Sequence, residues 1–279
     1  MRTSFPKLQW IAALALLSTT SQAADLSLDN INLADYEALV KEFSANSQYS
    51  SVTPASSLGG LWGFEFGVTG GVTKAPDVQA LVKRNNASTS FKPELYHVGA
   101  LARLGLPMGF TLEGLYFPKK TISSVSLNRW GVAAQWTLTD AVLEDFPFHL
   151  AVKGYATKTQ LKYSQVITSV TPNVNANIGF DNTLWGIQAL ASYSFFVFEP
   201  YVGIGWMKAK GLLSVDAAGS ATILNQTVFG AAAKSATSSP SSAQLLAGLD
   251  IRLAFFSLGA EYERAFDKNS YTGRVSFRF

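Results

Sequence analysis

The chain has 279 residues, of which 48% are hydrophobic and 15% charged, with a net charge of +3 and no cysteine. The missing cysteine excludes disulfides, thiolate metal sites, a cysteine nucleophile and a lipidated N-terminal cysteine. Arg2 and Lys7 supply two of the positive charges at the extreme N-terminus, so the near-neutral body carries no electrostatic footprint for nucleic acid.

In chain order, the first element is a secretory signal. Arg2 and Lys7 precede an apolar run from Trp10 to Leu17, and Ser21-Gln22-Ala23 offers small residues for a cut before Ala24. This pattern predicts a signal peptide over 1–23. The apolar run is too short for a spanning helix, which needs about 20 residues. No later stretch is long and apolar enough to be one. The mature protein is then an exported soluble protein or a membrane barrel.

Residues 24–60 form a separate N-terminal segment. Leu33, Tyr36, Leu39, Val40 and Phe43 recur at helical spacing, Asn32 can cap, and Asp35 and Glu37 sit in the first turn. These predict an amphipathic helix over about 33–44. A Ser/Ala/Gly-rich connector follows to Gly60. The expected place for this segment is the periplasmic mouth of the following domain; a plug inside that domain or a docking element is the alternative.

From Leu61 the period changes to two. Trp62, Phe64, Phe66 and Val68 alternate with Gly63, Glu65, Gly67 and Thr69, and Tyr271, Gly273, Val275, Phe277 and Phe279 alternate with Thr272, Arg274, Ser276 and Arg278. One face is apolar and the other polar or glycine. Aromatics gather near strand ends, and short connections (105–109, 139–146, 194–197, 254–256) alternate with long ones (74–94, 118–128, 158–180, 210–241, 265–270). Both features predict an all-β fold over 61–279: a transmembrane antiparallel up-and-down β-barrel of about ten strands, with eight or twelve as alternatives. Short turns face the periplasm in that arrangement, and long loops face outward.

The final strand, Tyr271-Thr-Gly-Arg-Val-Ser-Phe-Arg-Phe279, ends on an aromatic, with aromatic or apolar residues two, four and eight places earlier. It resembles the C-terminal assembly signal of Gram-negative outer-membrane β-barrel proteins. That resemblance implies an outer-membrane location and the barrel-assembly machinery as a partner during biogenesis. The run Leu58-Gly-Gly-Leu-Trp-Gly-Phe-Glu-Phe-Gly67 also resembles the barrel start of a group of uncharacterised proteobacterial outer-membrane proteins, and carries no function with it.

Catalytic chemistry finds little support. Barrel phospholipases and deacylases look like His-x-Ser motifs, but His97 is followed by Val98-Gly99 and His149 by Leu150-Ala151. Omptin-like proteases use an Asp-x-His motif, but Leu95 and Pro147 stand at that offset. The general base those mechanisms need is missing, so the chain reads as no enzyme. No metal-ligand spacing and no cofactor motif occurs. Inward charges at matched heights predict a lumen network of Glu65, Arg103, Glu113, Asp250, Arg252, Glu261 and Arg274, with a mostly filled interior. Lys119, Lys120, Lys208 and Lys210 near the long connections form a candidate rim for lipopolysaccharide phosphates. The leading function is an integral outer-membrane barrel with an envelope-structural, narrow-channel or binding role. The alternatives are a transporter of a small or apolar solute plugged by the N-terminal helix, and a surface enzyme or adhesin.

Overall fold

The structure is a computed structural model. It describes residues 33–59, 63–85, 93–122, 125–142, 146–167, 174–218, 221–223, 226–228 and 231–279. Residues 1–23, expected to be a signal peptide, and Asn32, Trp62 and Glu144 lie outside these residues.

Helix α1 (Leu33–Asn46) comes first, then strand β1 (Phe64–Lys74) and helix α2 (Pro76–Asn85). The strands β2 (Glu94–Gly105), β3 (Phe110–Ile122), β4 (Val125–Thr137), β5 (His149–Ile167), β6 (Val174–Ser192) and β7 (Phe198–Ala218) follow. The chain continues through a small hairpin, β8 (Ala221–Ile223) and β9 (Gln226–Val228), to β10 (Ala231–Ser238), β11 (Ser241–Leu253), β12 (Phe256–Ala265) and β13 (Lys268–Arg278). Each wall strand pairs antiparallel with the next, and β13 pairs with β1. Strands β10 and β11 share one register on β7, interrupted at Ser239-Pro240, so they form a single stave. The sheet therefore closes as a ten-stranded barrel. The chain end seals the seam: Phe279 N donates to Phe64 O at 2.8 Å, and Phe64 N donates to Phe279 O at 3.0 Å.

Burial decides the environment of this barrel. Phe66 and Ile204 are 55% and 64% exposed, whereas Glu65 and Gln135 are 1% and 0% exposed. The buried face of the sheet carries Glu, Arg, Gln, Thr and Ser; the exposed face carries Val, Ile, Leu and aromatics. A soluble sheet has the reverse arrangement. Alternating apolar-out and polar-in residues on a sheet that closes on itself suit strands that cross a lipid bilayer.

The two ends differ less in loop length than the sequence suggests. At one end the turns are short, with Met108, Phe196 and Ala254 at positive φ. At the other, the supposed loops are mostly strand. Strands β5 and β6 pair up to Ile167 and Val174, and β7 runs to Ala218. Residues 265–270 hold a tight turn at Phe266-Asp267, both at positive φ, as a type I′ hairpin turn requires. Strand-compatible Thr, Ser, Val and Ala on both faces remove the period-two signal from these overhangs, so they read as loops.

One seam is incomplete. Strands β2 and β3 pair only from Ala100–Tyr116 down to Gly105–Thr111. Leu106 N donates to Phe110 O, so even-numbered β3 residues face β2. Pro118 would be the next to face β2 and has no N–H to donate. The pairing ends there.

Candidate functional site

The lumen holds a continuous chain of ion pairs. Lys153 Nζ lies 3.4 Å from Glu113 Oε2, and Arg103 bridges Glu113 at 2.9 Å and Glu65 at 2.6 Å. Arg274 links Glu65 at 2.8 Å to Asp250 at 2.5 Å. Asp250 meets Arg252 at 3.0 Å, and Arg252 also pairs with Glu199. The signs alternate along this row, so each charge in it touches its opposite. Burying charge is costly unless it is paired and hydrogen-bonded.

The rest of the lumen is filled by the N-terminal segment. Tyr36 OH, on α1, donates to Gly211 O at 3.0 Å and Ala236 O at 2.9 Å, near the long-hairpin end. At the short-turn end, Arg278 Nη2 donates to Ser57 O at 3.1 Å. Residues 36–58 therefore thread the barrel from one end to the other. This corrects the expected periplasmic placement of residues 24–60: the described part, 33–59, lies largely within the wall. The physical reason is the carbonyls of 46–57, which need partners and belong to no sheet. Side chains of the wall supply the donors. Gln135 Nε2 reaches the carbonyls of Pro54, Ala55 and Ser56 at 3.2–3.3 Å, and Thr137 Oγ1 reaches Ala55 O at 2.7 Å. Thr157 Oγ1 donates to Ser47 O at 2.9 Å, and Arg129 donates to Gln48 O. Segment hydroxyls also join the charges: Ser50 donates to Glu261 at 2.8 Å, and Lys153 donates to Thr53 at 2.7 Å.

Shape agrees with polarity. Tyr49 stacks on Tyr155, with ring centroids 5.9 Å apart. A Cβ on Gly131 would stand 2.9 Å from Tyr49 Cδ2, and one on Gly259 would stand 2.8 Å from Val52 Cγ1. These two wall glycines leave room for two segment side chains. Val52 itself has φ 54°, an unfavourable region for a β-branched residue, held by its surroundings.

A polar clasp fixes α1 at the long-hairpin end. The Glu42 carboxylate accepts from Asp77 N at 2.6 Å and Val78 N at 2.8 Å, capping α2, and Lys268 Nζ lies 3.0 Å away. Burial raises the Glu42 carboxyl above its ordinary range, opposed by the two N–H groups and Lys268. Glu42 thus binds a proton more readily folded than unfolded, and its contribution to stability declines as pH rises through the raised folded value. Wild-type stability relative to Glu42→Gln is expected to increase as pH is lowered from neutrality towards about 5. Urea titrations of both proteins at the two pH values check the sign.

Of the predicted lumen residues, Glu65, Arg103, Glu113, Asp250, Arg252 and Arg274 join one network. Glu261 does not share Arg274 with Glu65; it accepts from Ser50 and from Tyr201 OH, each at 2.8 Å. Arg274 is opposite Gly259, which leaves its guanidinium free to reach Asp250 on the next strand. The rim lysines fall into two places. Lys208 and Lys210 point outward from β7, whereas Lys119 is exposed on β3, four staves away. The Lys120 side chain lies outside the described residues. His97 is held between Asn46 Oδ1 at 3.1 Å and Thr272 Oγ1 at 2.9 Å, and His149 Nδ1 lies 3.6 Å from Asp140.

The family model described as "Family of unknown function (DUF6588)" matches residues 94–279. The chain belongs to this family. No curated protein matches it. Among solved structures it is similar to Ail, the attachment invasion locus protein of Yersinia pestis, with 11% identity, covering 78% of this chain and 97% of that one, at a TM-score of 0.31. It is also similar to the beta domain of the Bordetella autotransporter BrkA, with 13% identity, covering 78% of this chain and 99% of that one, at a TM-score of 0.35. Neisserial surface protein A is similar at 11% identity, covering 77% of this chain and 95% of that one, at a TM-score of 0.26. At these scores the likenesses carry no argument about function. The family match begins at Glu94, so it takes in nine of the ten staves and excludes the threaded segment and β1.

Sequence reasoning did not assign Glu199, Gln135, Thr137 and Thr157 to the site. Their signal was present: Gln135 and Thr137 occupy inward positions of an alternating strand, where an apolar residue would serve a dry core equally well.

Proposed function

We propose that this protein is an exported outer-membrane barrel held closed by its own N-terminal segment, with an envelope-structural or binding role and no catalytic one. The carrying observation is the threaded lumen, in which wall side chains hydrogen-bond the segment backbone from Asn46 to Ser57. An open channel has no use for donors aimed at a resident peptide. The barrel-assembly machinery inserts the chain through its C-terminal strand in this reading, and the long hairpins face outward. Planar-bilayer recordings of the full chain are the direct test: no steady conductance is expected, and a large stable one overturns the closed reading.

Topology has its own test. The exposed Ala34 lies on α1 at the long-hairpin end, and the exposed Val142 lies at the short-turn end. In a chain without cysteine, Ala34→Cys is expected to react with an impermeant maleimide in intact cells. Val142→Cys is expected to react only after the envelope is broken. The opposite pattern reverses the orientation.

A second reading, a transporter with the segment as a hatch, has one observation in its favour. Above Ala100 and Tyr116 the β2–β3 seam is unpaired, and Asn46 Nδ2 reaches Tyr96 O there at 3.5 Å. Moving the segment would uncover an interstrand opening. Solute uptake that depends on the Asn46 side chain would favour this reading.

A further inference from the structure

The outer aromatic ring of the barrel is not uniform. On one side it is built from Tyr96, Tyr262 and Tyr271. On the other it is built from Trp130, Trp185 and Trp206, on β4, β6 and β7, all exposed. The lysines are segregated in the same way. Registers place Trp130 beside Lys158, Lys158 beside Thr183, and Thr183 beside Lys210. One row lower, Trp185 stands beside Lys208. Trp185 and Trp206 meet edge to face, with centroids 5.1 Å apart. All six side chains point away from the lumen. On the tyrosine side, by contrast, Lys74 is paired with Glu94 at 2.5 Å, and Lys268 is turned towards Glu42 and Asp77. The acidic neighbour of the lysine rows is Asp181, one row higher, whose Oδ1 accepts from Gln160 Nε2 at 2.7 Å.

We propose that the β4–β7 wall is a binding site for a phosphorylated glycolipid of the outer leaflet whose headgroup carries more than one phosphate. Strand spacing puts the Lys158 and Lys210 backbones roughly 10 Å apart, and Lys208 and Lys210 are about 7 Å apart along one strand. Three ammonium groups on that triangle can serve two phosphates by charge-assisted hydrogen bonds. The indoles beside and below them suit the boundary where headgroup meets acyl chain, their preferred depth in a bilayer. General interfacial anchoring explains Trp and Lys at this height, but not their concentration on one wall. Of the rim lysines expected from sequence, this site takes Lys208 and Lys210, adds Lys158, and leaves out Lys119 and Lys120. The proposal rests on the outward orientation of the long hairpins, which the Ala34→Cys labelling tests separately.

The test uses the purified full chain in detergent, so that membrane orientation does not enter. Bisphosphorylated lipid A is titrated against wild type, Lys158→Ala/Lys208→Ala/Lys210→Ala and the control Lys74→Ala/Arg264→Ala. Tryptophan fluorescence reports binding, and phosphate analysis reports lipid retained through gel filtration. The triple variant is expected to bind about tenfold more weakly or worse, given the usual strength of hydrogen bonds between charged groups. The control is expected to match wild type, and dephosphorylated lipid A and phosphatidylethanolamine are expected to bind poorly. Equal binding by wild type and the triple variant overturns the site. So does an equal loss in the control, or equal binding of the phosphate-free lipid. Should the triple variant fail to fold, Lys210→Glu alone carries the same expectation and the same overturning result.

Discussion

Replacing Arg274 by alanine is expected to lower the unfolding free energy of the barrel by about 3 kcal/mol, the lower part of the range for breaking a buried pair. Arg274 sits at the middle of the lumen charge chain, between Glu65 at 2.8 Å and Asp250 at 2.5 Å, and it also donates to Ser257 at 3.0 Å. Its loss leaves two carboxylates in a buried site with one cation fewer between them. The cost is moderated because Glu65 keeps Arg103 and Ser276, and Asp250 keeps Arg252 and Ser257. Two further variants separate charge from shape. Arg274→Lys keeps the positive charge and is expected to recover part of the loss, though not the bridge between the Glu65 and Asp250 carboxylates. Arg252→Ala removes a cation from the chain's more solvated end, where its side chain is 29% exposed, and is expected to cost about 1 kcal/mol. Urea unfolding in lipid vesicles measures all three. A loss below about 1 kcal/mol for Arg274→Ala would mean that water already screens the lumen charges.

Much of this charge chain was readable because barrel registers are local. Arg103 and Glu113 flank a short turn, so counting from the turn places them opposite one another, as the register Arg103–Glu113 shows. Glu65 and Arg274 are legible by the same counting once the last strand closes on the first. Glu261 follows that logic only in part: Tyr201 is level with it across Gly248, but Ser50 belongs to the threaded segment, and no register relates a barrel strand to a chain inside it. The segment itself was half legible. Helical spacing predicts a helix over about 33–44, and α1 covers Leu33–Asn46, but Ser47 to Leu58 has no period, and its polarity resembles a solvated connector. Only the donors on the opposing wall reveal that it is buried. Helix α2 had a local signature in Pro76 followed by Asp77, a proline at the first helical position with an acidic first turn. Its distant cap, Glu42, could not be read from the sequence.

Deleting residues 24–58 is expected to convert a closed barrel into a conducting one, the largest functional change available to a single alteration. Interstrand spacing and a usual strand tilt put the backbone of a ten-stranded barrel roughly 10 Å from its axis. Inward side chains line that interior, and the space left at the centre is what the segment occupies: Ser51, Val52, Thr53, Ala55 and Ser56 are all buried. Taking the segment away leaves Gln135, Thr137 and Thr157 without the carbonyls they hold now, and leaves Lys153 with Glu113 alone. Water must then enter to hydrogen-bond them, since leaving a buried polar group unpaired costs about 1–3 kcal/mol each. A hydrated lumen with charges of both signs conducts. Thermal unfolding should also occur at a lower temperature, because the wall loses its internal brace. If the deletion variant does not assemble, Gly131→Leu serves instead. Its side chain must displace Tyr49, which stands 2.9 Å from the position of a Cβ at Gly131 and stacks on Tyr155. Brief openings are expected from that variant, steady ones from the deletion, and none from the full chain. Identical recordings from the full chain and from whichever variant assembles would show that the threaded segment does not control passage through the barrel.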